Sequence, residues 1–284
     1  METEKSPENL SELKQFAEKY RPQIEKAMRE YLPFLPPNLG SEFKMILENA
    51  LFSQNDQLNS QLTLLGAELL GGKAEAVLPA AAAVEYVHAC ARILAESKIF
   101  NGKTENSGSQ AEENRILAAI ALLNAAYPLV FVNHIGMPER AMQAHQEIVE
   151  CVAASGIVGS LAVSPGQNEA ILPDDPKESA LIRLSLRVGA ILSGADYLDL
   201  AALSRFAENL GDAVQISDRL KETNDMKVEP EPNSAVRNNS PELHLENLIR
   251  DSKRLLIENF QSNSARSSLI QLLDSFAISD AANT

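Results

Sequence analysis

Apolar residues recur at intervals of three and four along most of this 284-residue chain, and polar or proline-rich stretches separate the periodic segments. This spacing predicts α-helices that each bury one face. The first helix begins at a capping pair, Asn9 and Glu12, and ends near Tyr31. The others are predicted over about 41–52, 57–70, 74–100, 111–126, 139–163, 177–192, 198–222, 241–260 and 264–276.

The one run rich in β-forming residues, "PLVFVNH", is short and has no plausible partner strand. The pattern therefore predicts an all-α fold, a bundle of about ten to twelve helices, in one domain over residues 1–284. No stretch comparable to a domain linker precedes residue 223. Residues 223–239, "TNDMKVEPEPNSAVRNN", lack periodicity and carry two prolines, so we predict a mobile loop there.

The helix over about 74–100 is apolar on nearly all sides, as "VLPAAAAVEYVHACARILA" shows. A helix of that kind needs neighbours all round it, so we predict that it is the central helix of the bundle. His88 lies within it, four residues before Arg92. A hydrogen-bonded core histidine is the first interpretation of His88, and a general base is the second.

Composition excludes several classes of protein. The formal net charge of -14 disfavours binding to nucleic acid, which depends on Lys and Arg contacts to phosphates. The acidic N-terminus lacks the apolar core of a signal peptide, and no run approaches roughly 18 continuous apolar residues. We therefore expect a cytoplasmic protein without a membrane span. Cys90 and Cys151 fall in helical apolar patterns and are expected to be buried free thiols.

The stretch "LLGAELLGGK" is superficially similar to a glycine-rich phosphate loop. No strand precedes it, and the Gly-Lys-Ser/Thr ending of such a loop is missing. We interpret its two adjacent glycines as the end of a helix.

The stretch "QISDRLKE", residues 215–222, raises a question of charge. Asp218 and Glu222 stand four apart, so they project from one face of a helix and could hold a cation. Arg219 and Lys221 lie among them and would compete for that place. The two interpretations are a weak metal site at Asp218 and Glu222, or a solvated face of local ion pairs.

The order of these segments resembles the trans-polyprenyl diphosphate synthase family, which has the isoprenoid synthase fold. The resemblance rests on "LLGAELLGGKAEAVLPAAAAVEYVHA" and on "KESALIRLSLRVGAILSGADYLDLAALSRFAENLGDAVQISD", and it covers roughly residues 20–222 with gaps. It implies an enzyme that ionises an allylic diphosphate and joins the cation to isopentenyl diphosphate. In such enzymes Mg²⁺ ions bridge the diphosphate to two Asp-rich motifs, because the leaving group departs only if cations take up its charge.

Both Asp-rich motifs of the family are degenerate in this chain. The first falls on residues 94–99, where only Glu96 offers a carboxylate and Lys98 opposes it. The second keeps Gln215 and Asp218, has Arg219 in place of the next Asp, and ends with Glu222. A unit charge pair at 4 Å is worth about 4 kcal/mol at an effective dielectric of 20, so a cation beside Mg²⁺ is costly. We predict that Asp218 pairs with Lys221 and Arg219 with Glu222.

The basic residues that grip diphosphate in the family are also largely missing. The grip ahead of the third helix falls on Asp56, Gln57 and Asn59, none of which is a cation. The loop after the first motif, "NGKTENSGSQ", carries Lys103 alone. Lys177 matches the family lysine that faces the allylic diphosphate, although a lysine at a helix start is also common at the solvent surface.

The family's product tail runs along a channel whose depth is limited by side chains four and five positions before the first acid. These positions are Ala91 and Cys90 here, and both side chains are small. The channel is then either deep and apolar or closed by neighbouring Leu and Ile side chains, since empty apolar volume is costly.

These observations assign no catalytic residue and leave a remnant of the site at Glu96, Lys177, Gln215, Asp218 and Glu222. The first functional hypothesis is a non-catalytic partner or regulatory subunit in isoprenoid biosynthesis, as a homodimer or as a heterodimer with another subunit of this fold. The alternatives are a divergent prenyltransferase or terpene-synthase-like enzyme and a carrier of an isoprenoid tail. No cofactor is expected unless the chain is a divergent enzyme, which would need Mg²⁺.

Overall fold

The computed structural model describes residues 11–53, 57–97, 109–162, 176–225 and 241–277. Side chains at 176–178 and 222–225 are not described. The predictions that concern Asp56, Lys98 and Lys103 lie outside the described residues. The predicted cap at Asn9 is wrong, because the first helix begins at Glu12 and the Ser11 hydroxyl caps it by accepting from the Lys14 amide at 3.4 Å. That residues 1–284 form one domain stays a prediction.

The described chain is helical and contains no strand, so the predicted all-α bundle is confirmed. The segment predicted as the one β-leaning run starts within a 3-10 turn, Tyr127–Phe131. The α-helices are α1 (Glu12–Glu30), α2 (Ser41–Phe52), α3 (Leu58–Leu69), α4 (Leu78–Glu96), α5 (Gln110–Ala126), α6 (Pro138–Val152), α7 (Ile157–Ala162), α8 (Pro176–Ser193), α9 (Tyr197–Asp225), α10 (Pro241–Asn259) and α11 (Ser264–Asp274).

The single helix predicted over 139–163 is wrong, because α6 ends at Val152 and α7 begins at Ile157. A tight turn separates them, in which the Gly156 amide donates to the Ala153 carbonyl oxygen at 2.8 Å. A Cβ atom on Gly156 would lie 2.1 Å from the Cys151 carbonyl oxygen, so this turn requires glycine.

The predicted loop over 223–239 starts too early. Helix α9 continues through Asp225, and no glycine or proline interrupts residues 223–225. Residues 226–239 lie outside the described part of the chain. The predicted stop after the third helix is confirmed, since Gly71 has a φ of 76°.

Two helices share the centre of the bundle. Helix α4 buries thirteen of its nineteen residues and contacts helices that include α1, α2, α3, α5 and α8, as predicted for the central helix. Helix α3 buries nine of its twelve residues and makes its largest contact with α8. The core therefore consists of α3 and α4 with α8 packed against them.

Close packing of α3 on α8 depends on glycine. A Cβ atom on Gly189 would lie 1.8 Å from the Thr63 carbonyl oxygen, and one on Gly66 would lie 2.3 Å from the Leu186 carbonyl oxygen. Any larger side chain at either position would force the two backbones apart. The short distance between these helices is thus fixed by two residues without side chains.

A mostly buried ion pair joins α6 to α8. The Arg187 guanidinium donates to both carboxylate oxygens of Glu147, with Nε to Oε2 at 2.7 Å, and the two side chains are 19% and 12% exposed. The same guanidinium donates to the Ser204 hydroxyl at 2.8 Å and to the Leu200 carbonyl oxygen at 3.1 Å. Arg187 therefore fixes three helices, α6, α8 and α9, relative to one another.

Two segments of the described chain are long and apolar enough to cross a membrane by length and composition. Ala74–Glu96 contains the central helix and is 78% buried, as expected of a core helix. Gln110–Phe131 is slightly more hydrophobic but only 33% buried. The expected absence of a membrane span stays a prediction, and α5 carries an apolar face that the described chain leaves uncovered.

Candidate functional site

The residues predicted from the two motifs lie on three helices. Glu96 ends α4, Lys177 is in the first turn of α8, and Gln215, Asp218 and Glu222 follow one another along α9. A short turn joins α8 to α9, and the two helices pack together.

The N-terminal turn of α8 lies beside the second motif. A Cβ atom on Gly211 of α9 would lie 2.1 Å from Ser179 Oγ, so the two helices touch one turn before Gln215. Lys177 is two residues before Ser179, which places its backbone close to the motif. The side chains of Lys177 and Glu222 lie outside the described set, so their roles as ligands stay predictions.

The second motif is neutralised by its own neighbours. Lys221 Nζ donates to Asp218 Oδ1 at 3.1 Å, with side chains 67% and 61% exposed. This contact confirms the predicted Asp218–Lys221 pair. The predicted pair of Arg219 with Glu222 falls on a side chain that is not described. An exposed pair of this kind adds little stability, but it does occupy the Asp218 carboxylate.

The acid of the first motif is also paired with a cation. Glu96 Oε2 lies 3.6 Å from Arg115 Nη1 on α5, and Arg115 Nε lies 3.8 Å from Glu112 Oε1. Glu112 is buried and accepts a hydrogen bond from the Ser97 hydroxyl at 2.8 Å. The Glu96 carboxylate, at the end of α4, is therefore directed to α5.

Possible metal ligands are not clustered in the described part of the chain. The described residues contain no group of three His, Cys, Asp or Glu side chains placed to hold a metal ion. Mg²⁺ needs several oxygen ligands in near-octahedral geometry, and Asp218 and Glu96 are each engaged by a cation. Whether the chain uses Mg²⁺ stays a prediction.

The start of α3, where the family places its basic grip, is uncharged and partly tied into the core. The Asn59 Oδ1 atom accepts from the Ser185 hydroxyl at 3.2 Å, and Glu85 of α4 accepts from the Ser60 amide at 2.8 Å. Gln57 is buried, and its Oε1 atom has no hydrogen-bond partner among the described residues. These side chains hold α3 against its neighbours and offer no cation to a diphosphate.

His88 is half-buried next to a buried carboxylate. Its Nδ1 atom lies 3.6 Å from Glu85 Oε2, which is within the range of an ion pair but too long for a hydrogen bond, so both interpretations of His88 stay predictions. Arg92 lies one turn further along α4 and donates to the Ala50 carbonyl oxygen near the end of α2. It thereby satisfies a carbonyl that the helix itself leaves free.

Sequence reasoning missed Arg92 and Arg115 as site residues. The structure places both at a cavity of about 180 Å³ between α2, α4 and α5. The signal for Arg92 was present, since it is a charged residue within an otherwise apolar helix. No local signal in the sequence pointed to Arg115, because its place at the cavity depends on how α5 packs.

The two residues predicted to set the depth of a tail channel are buried. Burial raises the pKa of the Cys90 thiol from its ordinary value of 9.0 to about 12. Neither Cys90 nor Ala91 lines the cavity between α2, α4 and α5 or the smaller recess beside it. An open tail channel stays a prediction.

Comparison with known proteins finds relatives among the prenyl diphosphate synthases. The chain is 30% identical over 172 residues to a geranylgeranyl diphosphate synthase of Cyanophora paradoxa, a match that covers 55% of this chain and 57% of the relative. It is also 30% identical over 185 residues to a dimethylallyltranstransferase of Fischerella ambigua, over 60% of this chain and 53% of that one. The chain thus spans little more than half the length of these curated relatives. No family model matches it.

Solved structures share the fold over nearly the whole chain. An FPP/GFPP synthase from Zymomonas mobilis matches 93% of this chain and 98% of its own with a TM-score of 0.74 and 20% identity. The geranyl diphosphate synthase small subunit from Antirrhinum majus matches 93% of this chain and 100% of its own, with a TM-score of 0.66 and 19% identity. The chain is similar to prenyl diphosphate synthases over part of its length and has the isoprenoid synthase fold.

Proposed function

We propose that this chain is a non-catalytic member of its family and acts as a partner or regulatory subunit in isoprenoid biosynthesis. The observation that carries the proposal is the state of the motif acids. Asp218 is paired with Lys221 and Glu96 faces Arg115, so these two motif carboxylates are each matched by a cation of the chain itself. Ionisation of an allylic diphosphate needs the reverse, a surplus of divalent charge held by unpaired acids.

A partner of the same fold is supported by the exposed face of α5. Leu117 and Ile120 are 53% and 51% exposed, and they lie one turn apart on α5. The apolar segment that contains α5, Gln110–Phe131, is only 33% buried. Adjacent large apolar side chains at a surface are typical of protein interfaces. A solved structure of this fold is named as the small subunit of a geranyl diphosphate synthase. The proposal therefore includes a homodimer or a heterodimer formed through α5, in the cytoplasm.

The partner is tested by affinity capture from the native cell, with identification of any second chain of the prenyl synthase family. We expect capture by the unaltered protein and loss of capture by the double variant Leu117→Asp/Ile120→Asp, because two buried charges would oppose association. Ile257→Asp is the matched control, since Ile257 is 57% exposed on α10, away from α5. Capture that survives in the double variant would contradict an interface on α5.

The loss of catalysis is tested by turnover. Purified protein with Mg²⁺, isopentenyl diphosphate and allylic diphosphates of several lengths should give no product above background. Arg219→Asp should not restore activity, because Ala95, Ser97 and the uncharged start of α3 remain. Clear turnover by the unaltered protein would overturn the non-catalytic assignment.

A divergent active enzyme is the second candidate, because the relatives at 30% identity are named as synthases and transferases. It predicts Mg²⁺-dependent product in the same turnover assay.

A carrier of an isoprenoid tail is the third candidate, and it rests on the small side chains of Cys90 and Ala91. Thermal melts with a long-chain prenyl alcohol decide that case, since a carrier must be stabilised by its ligand.

A further inference from the structure

Side chains from three segments meet around the hydroxyl group of Tyr20, a residue that is 1% exposed. The hydroxyl oxygen lies 2.6 Å from Lys19 Nζ, 3.0 Å from Glu68 Oε1 and 3.1 Å from Glu75 Oε1. Lys19 and Tyr20 belong to α1, and Glu68 is in the last turn of α3. Glu75 is in the 3-10 turn Ala74–Val77, which follows α3. These four side chains, the Tyr20 cluster, connect α1 to α3 and to this turn.

The hydroxyl group cannot make all of these contacts with its own hydrogen. Lys19 donates to the hydroxyl oxygen, and the hydroxyl has a single hydrogen to donate in turn. That hydrogen serves one carboxylate. The second carboxyl oxygen lies at hydrogen-bond distance from the same hydroxyl oxygen, so it must carry a proton and act as the donor. The geometry therefore requires one neutral carboxyl group and one carboxylate.

Glu68 is the group suited to hold this proton. Burial, the largest cause, raises the pKa of Glu68 from its ordinary value of 4.5, against the lowering effects of the Tyr20 hydrogen bond and the Lys19 charge. Glu75 is 54% exposed and lies 3.8 Å from Lys19 Nζ. A hydrogen bond from its own backbone amide is the first cause that lowers the pKa of Glu75. The cluster is thus satisfied by a neutral Glu68 beside an ionised Glu75.

Uncharged groups face the end of α3 from two other helices. Asn263, which caps α11, donates its side-chain amide to the Glu68 carbonyl oxygen at 3.1 Å. Ser193, at the end of α8, faces the turn after α3, where a Cβ atom on Gly72 would lie 2.1 Å from the serine Oγ. Neither helix supplies a charge through these contacts, so the proton on Glu68 is set by the cluster itself.

The nearby charged residues of the neighbouring elements are directed elsewhere or act on Glu75. Lys73 precedes the 3-10 turn, and its charge lowers the pKa of Glu75. Arg266 of α11 donates to the Phe260 carbonyl oxygen at 2.8 Å. Glu85, the first charged residue of α4, accepts from a backbone amide in the first turn of α3, at the other end of that helix.

We propose that Glu68 holds a proton in the native protein, that this proton fastens α1 to α3, and that residues 12–20 of α1 loosen when pH rises. Loss of the proton leaves two carboxylates facing one hydroxyl group, so one of them loses its hydrogen bond and the two negative charges repel. Movement of Tyr20 would reach Phe16, because the centres of the two rings are 4.7 Å apart.

The sign of the pH effect follows from the direction of the shift. The native pKa of Glu68 lies above 4.5, so the native state keeps this proton after the unfolded chain has released it. The stabilisation is complete below pH 4.5 and is lost as pH rises through the native pKa of Glu68. The lowered pKa of Glu75 acts in the opposite direction but at lower pH, because Glu75 ionises before Glu68.

The inference is independent of the proposed subunit role. The Tyr20 cluster contains none of the α9 motif residues and neither Leu117 nor Ile120 of α5. A proton on Glu68 and capture of a partner can therefore each fail alone.

The free energy of unfolding from pH 5 to pH 8 tests the proposal. Glu68→Gln carries no charge, and its amide can donate to the Tyr20 oxygen as a neutral carboxyl group does. We expect the unaltered protein to lose stability relative to Glu68→Gln as pH rises. Glu258→Gln is the matched control, since Glu258 is 52% exposed on α10, and its difference from the unaltered protein should stay constant. A constant difference for Glu68→Gln as well would overturn the proposal.

Carbon-13 NMR of the glutamate side-chain carboxyl groups locates the proton. The Glu68 signal is identified by its loss in Glu68→Gln. We expect its titration midpoint to lie above pH 4.5 in the unaltered protein and to move to lower pH in Glu75→Gln, because no second carboxylate then opposes ionisation of Glu68. A midpoint at or below pH 4.5, or one that Glu75→Gln leaves unchanged, contradicts a proton held by this cluster.

Amide hydrogen exchange tests the movement of α1. After correction for the intrinsic exchange rate, residues 12–20 should exchange faster at pH 8 than at pH 5 in the unaltered protein, and equally fast at both pH values in Glu68→Gln. The amides of α10 are the internal reference, because a global loss of stability would speed exchange there too. Exchange at residues 12–20 that does not change with pH, or that changes only as much as in α10, would overturn the proposed loosening.

Discussion

Two ion pairs of this protein differ in what they do for the fold. Arg187 and Glu147 join α8 to α6 through paired hydrogen bonds, and both side chains are mostly buried. Lys221 and Asp218 lie on the solvent side of α9, with one contact at 3.1 Å. The first pair connects separate helices, whereas the second connects neighbours on one helix.

The two pairs differ in how freely the residues around them can be substituted. Around Arg187 a change of residue leaves a buried charge or a void, so packing restricts which side chains are allowed. Around Lys221 water screens any new charge, so motif residues can be exchanged at little cost to the fold. The isoprenoid synthase fold can thus persist while the residues of the second Asp-rich motif on α9 change.

The largest expected effect is the loss of Arg187. Arg187→Met leaves the Glu147 carboxylate without its partner and should lower the free energy of unfolding by roughly 3–5 kcal/mol. Chemical denaturation measures the change. The double variant Arg187→Met/Glu147→Leu should recover much of the loss, since it removes both charges; a double variant no better than the single one would contradict a buried pair.

The reactivity of the Cys90 and Cys151 thiols tests whether reagents in solvent can reach the core. Burial raises the pKa of both Cys90 and Cys151 from 9.0 to about 12, which lowers the thiolate fraction near neutral pH about a thousandfold. Iodoacetamide at pH 8 should therefore label the native protein far more slowly than the unfolded protein. Rapid labelling of native Cys90 would instead indicate an open channel at that residue.

The same shifts predict a dependence of stability on pH. The raised pKa values mean that the native state holds these protons above pH 9 while the unfolded state releases them. Stability should therefore be retained below pH 9 and should fall as pH rises from 9 toward 12. Replacing both cysteines by alanine, measured against the parent at each pH, isolates this contribution.

A smaller loss of stability is expected when a side chain is added between α3 and α8. Gly189→Ala places a Cβ atom against the Thr63 carbonyl oxygen and should cost roughly 1–3 kcal/mol, because backbone on both helices must move. Gly136→Ala is the control, since a Cβ atom there meets nothing within 4 Å. Equal melting temperatures for the two variants would show that the helices are not held so closely.

The smallest change in stability is expected from the loss of the Lys221–Asp218 ion pair. Lys221→Ala should change the free energy of unfolding by no more than about 1 kcal/mol, because the pair is exposed and local. The measurement is the same denaturation series used for Arg187. A loss comparable to that of Arg187→Met would mean that the α9 pair is part of the core.

Much of the helical pattern could be predicted from sequence, because apolar periodicity reports directly which face of a helix is buried. The break between α6 and α7 could not, since residues 139–163 remain periodic and the turn depends on Gly156 lying against the Cys151 carbonyl oxygen. The pair of Asp218 with Lys221 was predictable because the two residues are three apart on one helix.

Contacts between residues distant in the chain were decided by tertiary structure alone. The sequence by itself determined most of the helices, the resemblance to prenyl diphosphate synthases and the charges of the motif residues, because these follow from local spacing and residue type. The meeting of Glu96 with Arg115, the buried pair of Arg187 with Glu147 and the cavity between α2, α4 and α5 depend on how helices pack. Packing sets distances between side chains far apart in sequence, and no local pattern encodes those distances.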